Sequence, residues 1–163
     1  MIINLKNKDT LIIDEFKLKC SIGKKGLKKN KVEGDNYTPQ GKFRLGKLYW
    51  RSDRVKRPET KITCKKIKKN MGWCNDINSK YYNKEIITNT KSKHEKLFRK
   101  DRKYDYLIVV KYNYTNTIKG KGSAIFIHLT NNYKKTAGCI AVSKKDFLII
   151  AKLINNNSKL ILN

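Results

Sequence analysis

Proline and glycine are scarce in this chain, 2 Pro and 9 Gly in 163 residues, which excludes collagen-like and Pro/Gly low-complexity architectures. Acidic residues are scarce as well: 13 Asp+Glu stand against 39 Lys+Arg, a formal net charge of +26. Long apolar runs are missing. None approaches the ~18 residues that a membrane-spanning helix needs, so no transmembrane segment is expected. Near the N-terminus the longest run, Leu11-Ile12-Ile13, stops at Asp14 and Glu15. A signal peptide's hydrophobic region takes roughly 7–15 residues, so no export signal is visible. The four cysteines, Cys20, Cys64, Cys74 and Cys139, show no CxxC pair, and neither His94 nor His128 stands at zinc-finger spacing from them. No metal site is expected. A disulfide between two of Cys20, Cys64 and Cys74 is left open.

What is present suits one packed domain over residues 1–163, long enough to bury a core without disulfides or metals. Hydrophobic residues make up 39% of the chain and fall in patterned runs, which argues against disorder. The charge first suggests nucleic acid. However, the basic residues are spread along the chain and are mostly Lys, whereas bidentate readout favours Arg. Abundant Lys, Asn and Ile, the residues of A/T-rich codons, offer a plainer origin in composition. Nucleic acid is therefore not the expected partner. The charge still favours encounter with an anionic surface, such as a cell-wall polymer. The runs Lys24–Lys31 and Lys65–Lys69 read most simply as solvated faces, with contact to such a polymer as the alternative.

Strands are expected at Met1–Leu5 and Thr10–Cys20, where Phe16, Leu18 and Cys20 alternate with lysines. Further strands are expected at Phe43–Trp50, Lys61–Ile67, Tyr104–Asn113, Ser123–Leu129 and Lys159–Leu162. Gly23–Gly41 and Met71–Asn83 read as loops. Ser92-Lys93-His94-Glu95 fits a capping box and predicts a short helix to about Lys100. Ser143 caps a helix through Ile154 with Phe147, Ile150, Ala151 and Ile154 on one face. The sum is a mainly β domain with a C-terminal helix packed on it.

The stretch Ser123–Asp146 carries the chemistry. A hydrophobic strand delivers His128 near its end, a polar loop follows, and the loop ends in Thr136-Ala137-Gly138-Cys139. One imidazole and one thiol at the two ends of a short loop can be brought into contact. An imidazole can take the proton of a neighbouring thiol, or hold its thiolate by charge. Gly138 permits a tight turn, and backbone N–H groups around Gly138–Ile140 can face a developing oxyanion. No acidic residue lies close enough in sequence to orient His128; a backbone carbonyl can do so. Read singly, Cys139 is equally an inert core thiol and His128 a structural histidine.

With these residues the sequence resembles the L,D-transpeptidase catalytic domain, or YkuD domain, over roughly Cys20 to Ile154. That family's nucleophile motif is a His on a strand followed by Ser/Thr-x-Gly-Cys and an apolar residue. His128, Thr136, Gly138, Cys139 and Ile140 match it. A second motif, Thr-Pro-x-Gly-x-Phe/Tyr, is present as Thr38-Pro39-Gln40-Gly41-Lys42-Phe43. Gly34-Asp35, Gly72–Asp76, Tyr82-Asn83 and Ser92–Glu95 are similar to a compact branch of the family.

The resemblance implies a β-sandwich-like fold with a cleft around the cysteine. It implies attack on a peptidoglycan stem peptide, with Cys139 as acylated nucleophile, His128 as general base and acid, and Gly138 in the oxyanion region. It implies no metal or organic cofactor, and a place in the cell envelope or periplasm, with the cytoplasm left open by the missing signal. Thr136, Trp73, Thr38, Gly41 and His94 are the expected substrate-binding residues. The plainer readings make Trp73 a packing residue, Thr38 and Gly41 turn residues, and His94 a solvent-facing residue in a first helical turn. Many members carry His where Ala137 stands and Arg or Asn where Ala141 stands, and their His-to-Cys spacing is longer. The acyl group can pass to an amine (transpeptidase) or to water (L,D-carboxypeptidase or amidase). A non-enzymatic basic module binding nucleic acid or wall polymer is the remaining alternative.

Overall fold

The computed structural model describes residues 1–88 and 92–163. In chain order the elements are β1 (Ile2–Lys6), β2 (Thr10–Ile13), β3 (Phe16–Ser21), β4 (Leu27–Lys28), β5 (Thr38–Pro39), β6 (Gly41–Trp50), β7 (Cys64–Lys66), β8 (Met71–Cys74), β9 (Glu85–Ile87), β10 (His94–Lys96), β11 (Tyr106–Val110), β12 (Phe126–Leu129), β13 (Ile140–Val142), α1 (Lys144–Leu153) and β14 (Lys159–Leu162).

Alternation in the sequence explains the first hairpins. Leu11 and Ile13 on β2 and Leu18 and Cys20 on β3 are buried, while Lys17 and Lys19 are exposed. The expected single strand Thr10–Cys20 is instead two antiparallel strands. Asp14, in the left-handed region at φ 53°, turns the chain between them.

Eight strands close into a ring. Their order is β11-β12-β13-β3-β2-β1-β14-β6, and β6 pairs back onto β11. The length of β6 makes closure possible: Gly41–Arg44 pair with β14, and the half from Leu45 to Trp50 pairs with β11. A closed ring leaves no bare edge between its members. The mainly β domain with one C-terminal helix is as expected; its strands form a mixed, barrel-like sheet with α1 packed on it. Ile3, Leu11, Leu18, Ile108, Ile127 and Leu160 belong to its apolar core. Ser143 caps α1 as expected, its Oγ accepting from the backbone N–H of Asp146 at 3.1 Å. The α1 face Phe147, Ile150 and Ala151 is buried, and Phe147 stacks on Tyr106 at 5.5 Å.

A second sheet, ordered β10-β8-β9, covers the outer face of β6, β11 and β12. Its buried side chains Met71 and Trp73, with Leu97 and Tyr104, pack on Tyr49, Leu107, Val109 and Phe126. With both faces covered, β11 is buried at every position, which accounts for its unbroken apolar run.

Two expectations fail here. Met71–Cys74, read as loop, is a strand buried at all four positions. The capping-box helix from Ser92 is absent: His94–Lys96 form β10, paired antiparallel with Lys96 opposite Gly72 and His94 opposite Cys74. A helix of that length is weak alone, and pairing with β8 satisfies its backbone instead. Strands β9 and β13 are not among the expected ones, and Gly23–Gly41, expected as loop, holds the short parallel pair β4 and β5. All four cysteines are free thiols, Cys20 and Cys74 fully buried. Among the described residues no helix is long and apolar enough to cross a membrane.

Candidate functional site

The alternation of β12 sets the first half of the site. Ile127 and Leu129 join the barrel core, while Phe126 and His128 point outward, under the second sheet. His128 is only 7% exposed, and its ring lies 5.4 Å from the Tyr104 ring. Its Nδ1 stands 2.9 Å from the Leu129 carbonyl. A carbonyl only accepts, so Nδ1 carries the proton and Nε2 keeps its lone pair. The partner of Nδ1 is thus a backbone carbonyl, a point the sequence left open. Burial drives the His128 pKa down to about 4, with Lys103 and Arg99 adding to the effect against the Leu129 bond.

Cys139 ends the loop that connects β12 to its parallel neighbour β13. Ile127 stands opposite Ile140 and His128 opposite Ala141. The thiol therefore sits beside the start of β12. It donates to the Ala124 carbonyl at 3.2 Å and accepts from Phe126 N–H at 3.4 Å. The expected direct contact of thiol and imidazole is not what holds Cys139: among the described residues, Ala124 and Phe126 are its hydrogen-bond partners. Burial pushes the thiol pKa up to about 12; the Glu95 charge adds to this, and the Phe126 N–H and Lys31 oppose it. The resting pair is a neutral thiol and a neutral imidazole.

The turn before Cys139 requires glycine. Gly138 has φ +149°, and a Cβ there would lie 2.9 Å from the Tyr37 carbonyl oxygen. Thr136 Oγ1 accepts from Gly138 N–H at 3.1 Å and donates to the Cys139 carbonyl at 2.6 Å. Thr38, fully buried, donates to the Gly138 carbonyl at 2.7 Å and accepts from Gly23 N–H at 2.8 Å. The two sequence motifs meet at this point.

Cys139, His128, Gly138 and Thr136 all line one cavity of about 620 Å³. Ala137 and Ala141 leave open wall beside them. Lysines and arginines dominate its charged lining, with Arg99, Lys103, Lys134 and Lys135 among them, against Glu33 and Glu95. The Lys24–Lys31 run is not simply a solvated face. Lys24 lines the cavity, and Lys31, 3% exposed, bonds Asp35 and the Tyr37 carbonyl.

Four expected substrate contacts lie elsewhere. Trp73 is 2% exposed, packs edge-on against Phe126 and donates to Asn83 Oδ1 at 2.9 Å, so it supports the site from behind. Thr38 buttresses the Gly138 turn. Gly41 opens β6 opposite Leu162, under the Phe43 ring. His94 is on β10, turned away from the cavity that its neighbour Glu95 enters, with Nδ1 on the Ser92 carbonyl at 2.8 Å.

Glu95 and Tyr104 are among the cavity residues that the sequence does not point to as site residues. Tyr104 donates its hydroxyl to Glu95 Oε1, and the Arg99 guanidinium lies 5.2 Å over the Tyr104 ring. Burial raises the Glu95 pKa; the Tyr104 and Arg99 contacts lower it and Glu33 raises it further. Period-two alternation separates His94 from Glu95, but only once the segment is known to be a strand.

A barrel-like sheet thus brings a cysteine and a histidine to one cavity. The sequence model of the YkuD family, the L,D-transpeptidase catalytic domain, matches residues 1–162, and the chain belongs to this family. No curated protein matches it.

Proposed function

We propose that this protein is a cysteine acyltransferase of the L,D-transpeptidase type that acts on peptidoglycan stem peptides at the cell envelope. The observation that carries the reading is the shared cavity of Cys139 and His128, with the imidazole held in the tautomer that presents Nε2. Because the resting thiol is protonated, proton transfer accompanies attack. Sγ bonds to the substrate carbonyl carbon as its proton passes to Nε2. His128 then returns that proton to the departing amine, leaving a thioester on Cys139. Gly138 N–H is already used by Thr136, so Cys139 N–H is the assigned oxyanion donor. Gly138 contributes by its backbone shape.

The cationic lining supports an acyl donor that carries carboxylates, with Arg99 and Lys103 in place of the polar group that Ala141 lacks. Product analysis with a tetrapeptide stem tests the reading. Release of the terminal residue must vanish in Cys139→Ala and fall roughly 10²–10⁴-fold in His128→Ala, the usual contribution of a general base. Equal turnover in wild type and Cys139→Ala would overturn it.

A further inference from the structure

The second sheet covers only one side of the ring. On the other side, the outward positions of β3, β2, β1, β14 and the first half of β6 are exposed or half-buried. Strand register sets them in rows. Lys17, Ile12, Asn4, Ile161 and Lys42 stand side by side across the five strands. Lys19, Thr10 and Lys6 form a row beside this one. Ile2, Lys159 and Arg44 form a row on its other side. The cations therefore gather at two opposite corners: Lys6, Lys17 and Lys19 at one, Lys42, Arg44 and Lys159 at the other. Between the corners lies an apolar middle of Ile2, Ile12 and Ile161, with Ile2 47% exposed.

Among the described residues none of these six cations makes an ion pair. Lys19 lies 4.7 Å over the Tyr133 ring. The nearest acids in the chain, Asp9, Asp14 and Glu15, stand in the hairpin turns at the rim, not on the face. Arg44 and Lys159 are directly opposite in an antiparallel pair, an arrangement that repels by itself. The face carries nothing to offset that repulsion; an anionic partner does. Two such partners differ in what they do with the middle. A soluble polyanion pairs with the lysines and leaves the isoleucines in water. A bilayer with anionic headgroups takes both. Lysine stems lie along the surface with their ammonium groups among the phosphates, and the isoleucines enter the boundary between headgroups and acyl chains. Five strands give the face a width of about 19 Å, four spacings of about 4.8 Å.

We propose that the outer face of β3, β2, β1, β14 and the first half of β6 docks the protein on an anionic lipid bilayer. The ring order makes this docking compatible with the site. β1 stands four strands from β12 in either direction round the ring. A membrane on the β1 side therefore leaves the cavity of Cys139 and His128 on the far side, open to a substrate. The docking does not depend on the acyl-transfer reading.

The test is cosedimentation of the full chain with vesicles of equal parts phosphatidylglycerol and phosphatidylcholine, against vesicles of phosphatidylcholine alone, at about 0.1 M salt. Wild type binds the first and not the second. A lysine at an anionic membrane surface strengthens binding roughly fivefold. The triple variant Lys6→Gln, Lys17→Gln, Lys19→Gln therefore binds roughly a hundredfold more weakly. A control variant, Lys66→Gln, Lys68→Gln, Lys69→Gln, removes the same charge from exposed positions off the face. It loses at most about tenfold, because those charges lie beyond a Debye length from the lipid. Ile2→Asn weakens vesicle binding severalfold and leaves binding to poly(glycerol phosphate), a soluble polyanion, unchanged. All these positions are exposed, so each variant keeps the wild-type melting temperature. A wild type that ignores the anionic vesicles overturns the proposal. Equal losses in the two triple variants also overturn it, because net charge rather than this face then does the binding. So does an Ile2→Asn variant that binds vesicles as wild type does, which marks the face as a site for soluble polyanions.

Discussion

The Thr38 hydroxyl donates to the carbonyl of Gly138, 100 residues away in the chain, at 2.7 Å. One buried oxygen joins the upstream Thr-Pro motif to the turn that presents Cys139, because it also receives Gly23 N–H. Thr38→Val keeps the shape and strands both partners. It should lower unfolding free energy by about 1–3 kcal/mol and slow acylation of Cys139, while Thr38→Ser stays near wild type in a urea titration.

Gly138 faces two separate constraints, its positive φ and the Tyr37 carbonyl. Gly138→Ala should therefore cost more than the roughly 1 kcal/mol of an ordinary glycine-to-alanine misfit. Thermal melting of the variant against wild type measures this. An unchanged melting temperature would show that the turn relaxes freely.

These two positions were legible as motif residues, but their roles were not. Sequence spacing says that Thr38 and Gly138 matter; it does not say that one holds the other, and Thr38 was expected in the cleft itself. The long alternating or apolar strands β3, β6, β11 and β12 and the capped helix α1 were legible because their burial pattern is local. The second sheet was not. Met71–Cys74 is short and set among polar residues, and Ser92–Glu95 carries a sound helix-start pattern that only pairing with β8 overrides. Missing β10 meant missing Glu95. The chemistry of Trp73 and His94 suits a binding site, but the sheet turns one into the packing behind the cavity and the other away from it.

Asn83 is a further consequence of that sheet. It is 2% exposed with φ 56° and bonds four partners: Trp73 Nε1, Ala124 N–H and the carbonyls of Tyr112 and Asn113. Asn83→Ala should be among the most damaging single changes, costing about 3 kcal/mol or more by stranding several buried groups. Chemical denaturation followed by Trp fluorescence reports it.

His128 and Cys139 each contribute to the pH dependence of stability. His128 has a folded pKa of about 4 against 6.5 unfolded, so the unfolded chain takes up its proton first and stability falls as pH drops from 6.5 towards 4. Cys139 has a folded pKa of about 12 against 9.0, so the unfolded chain loses its proton first and stability falls as pH rises above 9. These two groups predict a plateau between those limits. Unfolding free energy measured across pH should show the acid slope flattened in His128→Ala. In the native protein at neutral pH, Cys139 should react with iodoacetamide tenfold or more slowly than in the unfolded chain.

The central claim is that Cys139 carries an acyl group with His128 as its base. Intact-mass spectrometry after incubation with a tetrapeptide stem, and separately with a carbapenem, tests it most directly. The account predicts a single adduct on wild type, none on Cys139→Ala, and greatly slowed formation on His128→Ala. A folded, reduced wild type that forms no adduct, or an adduct that persists in Cys139→Ala, would contradict it.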